Sequence, residues 1–171
     1  MRRPVLLLLI SCLAITSLKA QDESAEAPYK RFPTVPPFNL LSIDSSTHIT
    51  KDDLHRHTKT LIMYFSPDCD HCQHQTKEML AKMDKFKGIQ IIMATYQPFE
   101  EMVTFYKEYG LANYSNIKIG RDTKFFFVPY YHINNLPYLA LYDVKGNLIK
   151  TFEGTTPVDK LVNNFKKKAK K

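Results

Sequence analysis

Two cysteines three positions apart, with a histidine just before the second, are the residues of this 171-residue chain best suited to chemistry. In Cys69-Asp70-His71-Cys72 the spacing is C-x-x-C, in which a thiolate at the first sulfur attacks a disulfide and the second thiol resolves the mixed disulfide. Closing a loop of two intervening residues adds little stability, because the entropic gain grows with loop length. The pair therefore reads as reactive rather than structural. It needs no cofactor, since the two sulfurs themselves carry the two electrons.

The flanking pattern supplies the scaffold. Thr60 to Ser66 is a continuous apolar run of the kind buried on both faces of a central sheet. Pro67-Asp68 breaks it, and Cys72, Thr76, Met79, Leu80, Met83 and Phe86 then form one helical stripe that Gly88 terminates. At such a strand-to-helix junction, free backbone N–H groups and the helix dipole face the first sulfur and favour its thiolate. Ile89 to Thr95 reads as a second buried strand, Pro98 to Tyr109 as a helix stopped by Gly110, and Ile117 as part of a short strand. A helix is expected from Asp122 to about Val128, ahead of Pro129. Tyr138 to Tyr142 and Leu148 to Phe152, separated by a turn at Asp143 to Asn147, read as a hairpin, and Thr156-Pro157 opens a terminal helix. Phe38 to Ile43 is an entry strand, and Thr50 caps a short helix at Lys51. This order implies an α/β fold with a mixed central sheet flanked by helices.

The segment YFSPDCDHC, the helix after it, and Leu136-Pro137 ahead of YLALYD and the Gly146-Asn147 turn resemble the thioredoxin superfamily. The resemblance covers about residues 38 to 165 and is strongest to the exported bacterial branch related to cytochrome-maturation reductases, the redoxin or TlpA-like proteins. It implies a thioredoxin-like fold, a redox-active Cys69–Cys72 disulfide, and a cis-proline beside it at Pro137. Physically, Pro137 donates no ladder bond, and Leu136 offers backbone groups to a substrate chain. Strong oxidases and disulfide isomerases of the superfamily carry histidine where His71 stands. An imidazolium there stabilises the Cys69 thiolate and makes the couple more oxidising, whereas Asp68 and Asp70 oppose it by repelling a thiolate.

The chain also departs from the family. Asp68 replaces the usual tryptophan, Met63 stands where thioredoxin has a buried acid, and Gln75 stands where the cytochrome-maturation reductases carry glutamate. A peroxidase pattern, Pro-x-x-x-Thr-x-x-Cys, is broken at Ile62 and Ser66. The alternative of a non-catalytic metal-binding or metallochaperone module rests on Cys69, His71, Cys72 and His74, which lie within six residues. His71 and Cys72 are sequence neighbours, however, and diverge by about 100° on a helix. Convergence on one ion would unwind the helix start, so no metal is expected.

Composition bounds the rest. At 44% hydrophobic and 24% charged, with ten Tyr and eleven Phe, the chain has the makings of a globular core. Its formal charge of +7 is concentrated at the two ends, in Arg2, Arg3 and Lys19 and in Lys166, Lys167, Lys168, Lys170 and Lys171. The body is near neutral, which argues against a nucleic-acid partner. Residues 1–20 read as a secretory signal, with a positive start, an apolar run from Val5 to Ile15 and a cleavage site at Leu18-Lys19-Ala20. That run is shorter than the roughly 18 to 20 residues of a membrane span. Leu9-Ile10-Ser11-Cys12 also fits a lipoprotein box, but cleavage there strands Leu13 to Ile15 outside the signal. The expected map is a signal peptide at 1–20, a flexible linker at 21–37 without a packed core, the thioredoxin-like domain at 38–165 and a basic tail at 166–171. Export to a periplasmic compartment keeps disulfides possible. The expected partners are protein thiols or disulfides and a redox partner. Membrane contact would come only through a lipidated Cys12 or the basic tail.

Overall fold

Strand β3 (Lys59–Tyr64) is the axis of the molecule in a computed structural model that describes residues 26–166. Alternate residues of a strand point to opposite faces. Leu61, Met63 and the following Phe65 accordingly enter one apolar cluster, while Ile62 and Tyr64 enter a second on the other side. All five are fully buried, which explains why the run shows no polar alternation.

Six further strands complete a sheet of order β2-β1-β5-β4-β3-β6-β7. They are β1 (Asn39–Ser42), β2 (His48–Thr50), β4 (Ile89–Thr95), β5 (Ile117–Arg121), β6 (Tyr138–Tyr142) and β7 (Leu148–Glu153). β3, β4 and β5 run parallel, and β1, β2, β6 and β7 join antiparallel, which gives the mixed sheet expected from the sequence. Gly120 of β5 allows β1 to approach, because a Cβ there would stand 2.7 Å from that of Leu40.

Helices α2 (Asp70–Ala81), α3 (Phe99–Glu108) and α5 (Val158–Lys166) bury Cys72, Met79, Met102, Phe105, Leu161 and Phe165 in the first cluster. The second cluster is closed by α4 (Phe127–Tyr131) and the N-terminal segment that holds α1 (Pro28–Arg31). Among the described residues, no helix is long and apolar enough to cross a membrane.

Three expectations are corrected. Residues 27–37 are not a linker without packed contacts: Ala27 and Val35 are buried, Val35 N–H donates to Gly146 O, and Leu148 N–H donates to Pro33 O. The four prolines hid this, because proline composition marks a segment without helix or ladder donors, not one without apolar anchors. The helix after Cys69 stops at Ala81, and a 3-10 turn (Met83–Phe86) carries Phe86 into the core. The helix expected over 122–128 instead begins at Phe127. Asp122 accepts the Phe127 N–H through its carboxylate at 3.0 Å, and Pro129 falls in the first turn, where a missing N–H is harmless. Residues 1–25 and 167–171, on which the expected signal peptide, Cys12 and most of the basic tail fall, lie outside the described residues.

Candidate active site

Cys69 is the N-cap of α2. Its extended backbone turns the chain from the end of β3 into the helix, and its sulfur accepts the Cys72 N–H at 3.2 Å. This is the junction expected from the sequence, with a backbone donor aimed at the first sulfur. Cys69 is half-buried and Cys72 fully buried. The two sulfurs are 2.6 Å apart, so one thiol of the pair meets solvent and the other waits behind it.

A polar frame holds the loop. Cys69 N–H donates to Ser66 O at 3.2 Å, and the Gln73 amide reaches back to Pro67 O at 2.8 Å. The Ser66 hydroxyl donates to the Asp68 carboxylate and itself accepts the Gln97 amide at 2.9 Å. Arg121 Nε in turn binds Gln97 O at 2.7 Å. Asp68 is therefore tethered beside the pair.

Inside, a polar side chain, Gln75, stands in the core. It is fully buried one turn beyond Cys72, and its Oε1 accepts the backbone N–H of Thr156 at 2.7 Å. Its Nε2 is buried without a partner. Nearby, Gly154 N–H donates to Pro137 O at 2.9 Å. The turn before α5 is thereby bonded both to the helix that carries Cys72 and to Pro137.

The Leu136–Pro137 peptide is cis. Tyr138, the first residue of β6, pairs with Tyr64, the last residue of β3, so Leu136-Pro137 lies where β3 hands over to the Cys69 loop. Leu136 stands ahead of that ladder and packs against the same apolar cluster as Cys69. His71 and His74 are exposed on α2. Among the described residues, no three His, Cys, Asp or Glu side chains are grouped to hold a metal ion.

Ser66, Gln73, Gln97, Arg121 and Thr156 were given no part in the site from the sequence. Ser66 and Gln97 bond across 31 residues, which no local spacing reveals. Gln75 did carry a signal: it is a polar residue on the inward stripe of Cys72, Thr76 and Met79.

Residues 50–169 match the family defined by the thioredoxin-like domain. The chain belongs to the thioredoxin-like family. The thioredoxin-like domain also superposes on solved structures of low sequence identity. A candidate thioredoxin from Neisseria meningitidis is 23% identical, with 78% of this chain and 88% of that one covered and a TM-score of 0.62. A candidate thiol:disulfide interchange protein DsbE from Chlorobium tepidum is 18% identical over 77% and 92%, at 0.64. StoA from Bacillus subtilis is 22% identical over 77% and 98%, at 0.58. No curated protein matches the sequence. These likenesses share the thioredoxin-like fold.

Burial pushes the Cys72 thiol of this thioredoxin-like domain well above the ordinary cysteine range. Its bond to Cys69 and the charges of Cys69 and Asp68 add to the effect, while the Ser66 backbone opposes it. Unfolding returns the thiol to its ordinary value of 9.0, so on going alkaline the unfolded dithiol chain releases this proton before the folded one. The reduced fold should therefore lose stability as pH rises beyond about 9, relative to the disulfide form, which has no such thiol. Urea unfolding of both forms across that range checks this. A difference that stays constant with pH would mean that Cys72 titrates as in a free peptide.

Proposed function

We propose that the protein is a thiol–disulfide oxidoreductase acting on exported protein substrates in the periplasm. The observation that carries this reading is the asymmetric pair, an accessible Cys69 capping a helix against a buried Cys72 with their sulfurs in contact. In the reducing direction the Cys69 thiolate attacks a substrate disulfide, forming one S–S bond and releasing one substrate thiolate. Cys72 then gives up its proton and attacks Cys69 Sγ, which releases the second substrate sulfur and leaves the Cys69–Cys72 disulfide. Two electrons pass to the substrate, and a redox partner restores the dithiol. The oxidising direction is the same sequence reversed.

Leu136 and Pro137 serve as the binding edge for the substrate chain, a role supported by their place at the head of β6 beside the Cys69 loop. Export is supported by the signal-like pattern of residues 1–20. Alkylation of the reduced protein near neutral pH tests the core of the reading. One fast-reacting thiol, identified as Cys69, is expected. Two inert thiols with a bound metal would replace the proposal with a metal-binding one.

His71 tunes the couple. It is exposed at the second position of α2, two residues after Cys69. Of the two opposing carboxylates, Asp70 is exposed and screened by water, while Asp68 is held beside the pair by Ser66 and keeps its opposing charge there. The expected potential lies above that of thioredoxin, between about −270 and −150 mV. His71→Ala should lower it by about 30 mV, or about 1.4 kcal/mol for a two-electron couple. Equilibration against glutathione measures the shift, and an unchanged potential would make His71 a bystander.

A further inference from the structure

Two exposed aromatic side chains meet at the Cys69 end of the sheet. Tyr96, just past β4, is 40% exposed and Phe125, just past β5, is 47% exposed. Their rings stand edge-to-face with centroids 5.1 Å apart, and Tyr96 stacks in turn on the buried Tyr64. Leaving two such rings in water forgoes the burial that drives folding, and contiguous exposed apolar surface marks sites of interaction. Phe125 adds a second cost. Its φ of 52° is left-handed, a strained conformation rare for a bulky residue. The buried Asp122 holds the turn, accepting the Phe125 N–H at its carbonyl and the Phe127 N–H at its carboxylate.

The pair is coupled to the redox loop, because Gln97, next to Tyr96, donates to Ser66. Pro67 and Asp68 of the same loop line a groove of about 350 Å³ that Thr104 and Phe105 of α3 also border. Asp68, Glu100, Glu101 and Glu108 give it a negative rim. Among the described residues none of these four forms an ion pair. Both surfaces thus border the loop that leads into Cys69, the aromatic pair through Gln97 and Ser66 and the groove through Pro67 and Asp68.

We propose that these two surfaces dock one occupant, an extended cationic polypeptide segment that carries the reacting disulfide. This rests on the oxidoreductase reading above and names its substrate class. An apolar side chain beside the substrate cysteine lies on the Tyr96–Phe125 pair. Along the groove, Lys or Arg side chains lay their aliphatic stems on Pro67 and their charges on the rim. The negative rim favours a cationic chain and repels an anionic lipid surface.

The test uses the reduced full chain and synthetic peptides, each with one cysteine capped as a mixed disulfide with 2-mercaptoethanol. Their flanks are Phe with Arg, Phe with Glu, or Ser throughout, and bis(2-hydroxyethyl) disulfide is the flank-free reference. Rates of Cys69 attack are taken by stopped flow relative to that reference. The Phe/Arg peptide should react about tenfold faster than the Phe/Glu peptide, an advantage that shrinks as salt is added. The double variant Glu100→Gln, Glu101→Gln should reduce the charge preference. Phe125→Gly, whose residue adopts the left-handed backbone without strain, should reduce the preference for Phe over Ser.

Equal relative rates for all peptides, or variants that leave the ranking intact, would overturn the docking proposal while the oxidoreductase reading stands. A chain inert even to the reference disulfide would overturn both. Concentration-dependent dimerisation abolished by Phe125→Gly would give the surface to a second copy of this chain instead.

Discussion

Cys72→Ser is expected to leave the protein covalently joined to its substrates, whereas Cys69→Ser should abolish exchange. The two cysteines differ in access and in surroundings. Cys69 is half-buried and receives the Cys72 N–H, so it can meet a partner and carry charge while doing so. Cys72 has no exposed surface, so a substrate disulfide reaches it only through Cys69. Removing the Cys72 sulfur leaves the first step intact and deletes the second, and the mixed disulfide then persists until an external thiol cleaves it. The measurement is non-reducing electrophoresis of extracts expressing each variant, followed by identification of the adducts. Adducts on Cys72→Ser that disappear in the double variant are the expected result. A Cys72→Ser chain that traps nothing, or a Cys69→Ser chain that still exchanges, would reject the assigned roles. The partners recovered would also show whether their cysteines lie among cationic and aromatic residues.

Gln75→Met is expected to destabilise the fold by about 1–2 kcal/mol. Methionine matches glutamine in length and lack of branching, so the change removes polarity with little change of volume. What it strands is the Thr156 N–H, a buried donor whose partner at 2.7 Å is Gln75 Oε1. The lost bond is partly offset because the unpartnered Nε2 disappears too. Gln75→Glu keeps an acceptor for Thr156 but brings a carboxylate to a site without exposed surface, and should cost more. Urea midpoints with an unchanged slope would report the two effects. A midpoint unmoved by Gln75→Met would show that the Thr156 contact contributes nothing and that the turn before α5 is held by packing alone.

The central strands were legible because burial on both faces leaves a plain signature, an unbroken apolar run such as LIMYF. The cysteine junction was legible because Pro67-Asp68 breaks that run just ahead of a helical stripe. Local competition hid other parts. The stripe through Phe86 has helical spacing, yet the chain turns at Lys82 and delivers Phe86 from a tighter 3-10 turn, which also brings that residue to the same face. Between Asp122 and Phe127, a buried carboxylate acting as a cap outweighed the helical reading and forced Phe125 into the left-handed region. The N-terminal segment reads as linker from its prolines, while Val35 and Phe38 settle it against the sheet. Least legible were the long-range polar bonds of Ser66, Gln75 and Gln97, whose partners are set only by the finished topology.

The place of β3 in the sheet bears on the order in which the molecule can assemble. One neighbour, β4, follows closely in the chain, but the other, β6, begins at Tyr138, and β1 finds its partner β5 only after Ile117. Ribosomal synthesis therefore supplies Cys69 and Cys72 long before the strand that closes their side of the sheet. A nascent chain that ends short of Tyr138 has an unsatisfied edge on β3, no Pro137 and no Thr156 for Gln75. Such chain-spanning closures slow folding, because the loop must be closed before its contacts reward it. Part of the packing that sequesters Cys72, including Leu139, Leu141 and the α5 residues, arrives only with the end of the chain. The asymmetry on which exchange depends therefore draws in part on the last strands and helix to be synthesised.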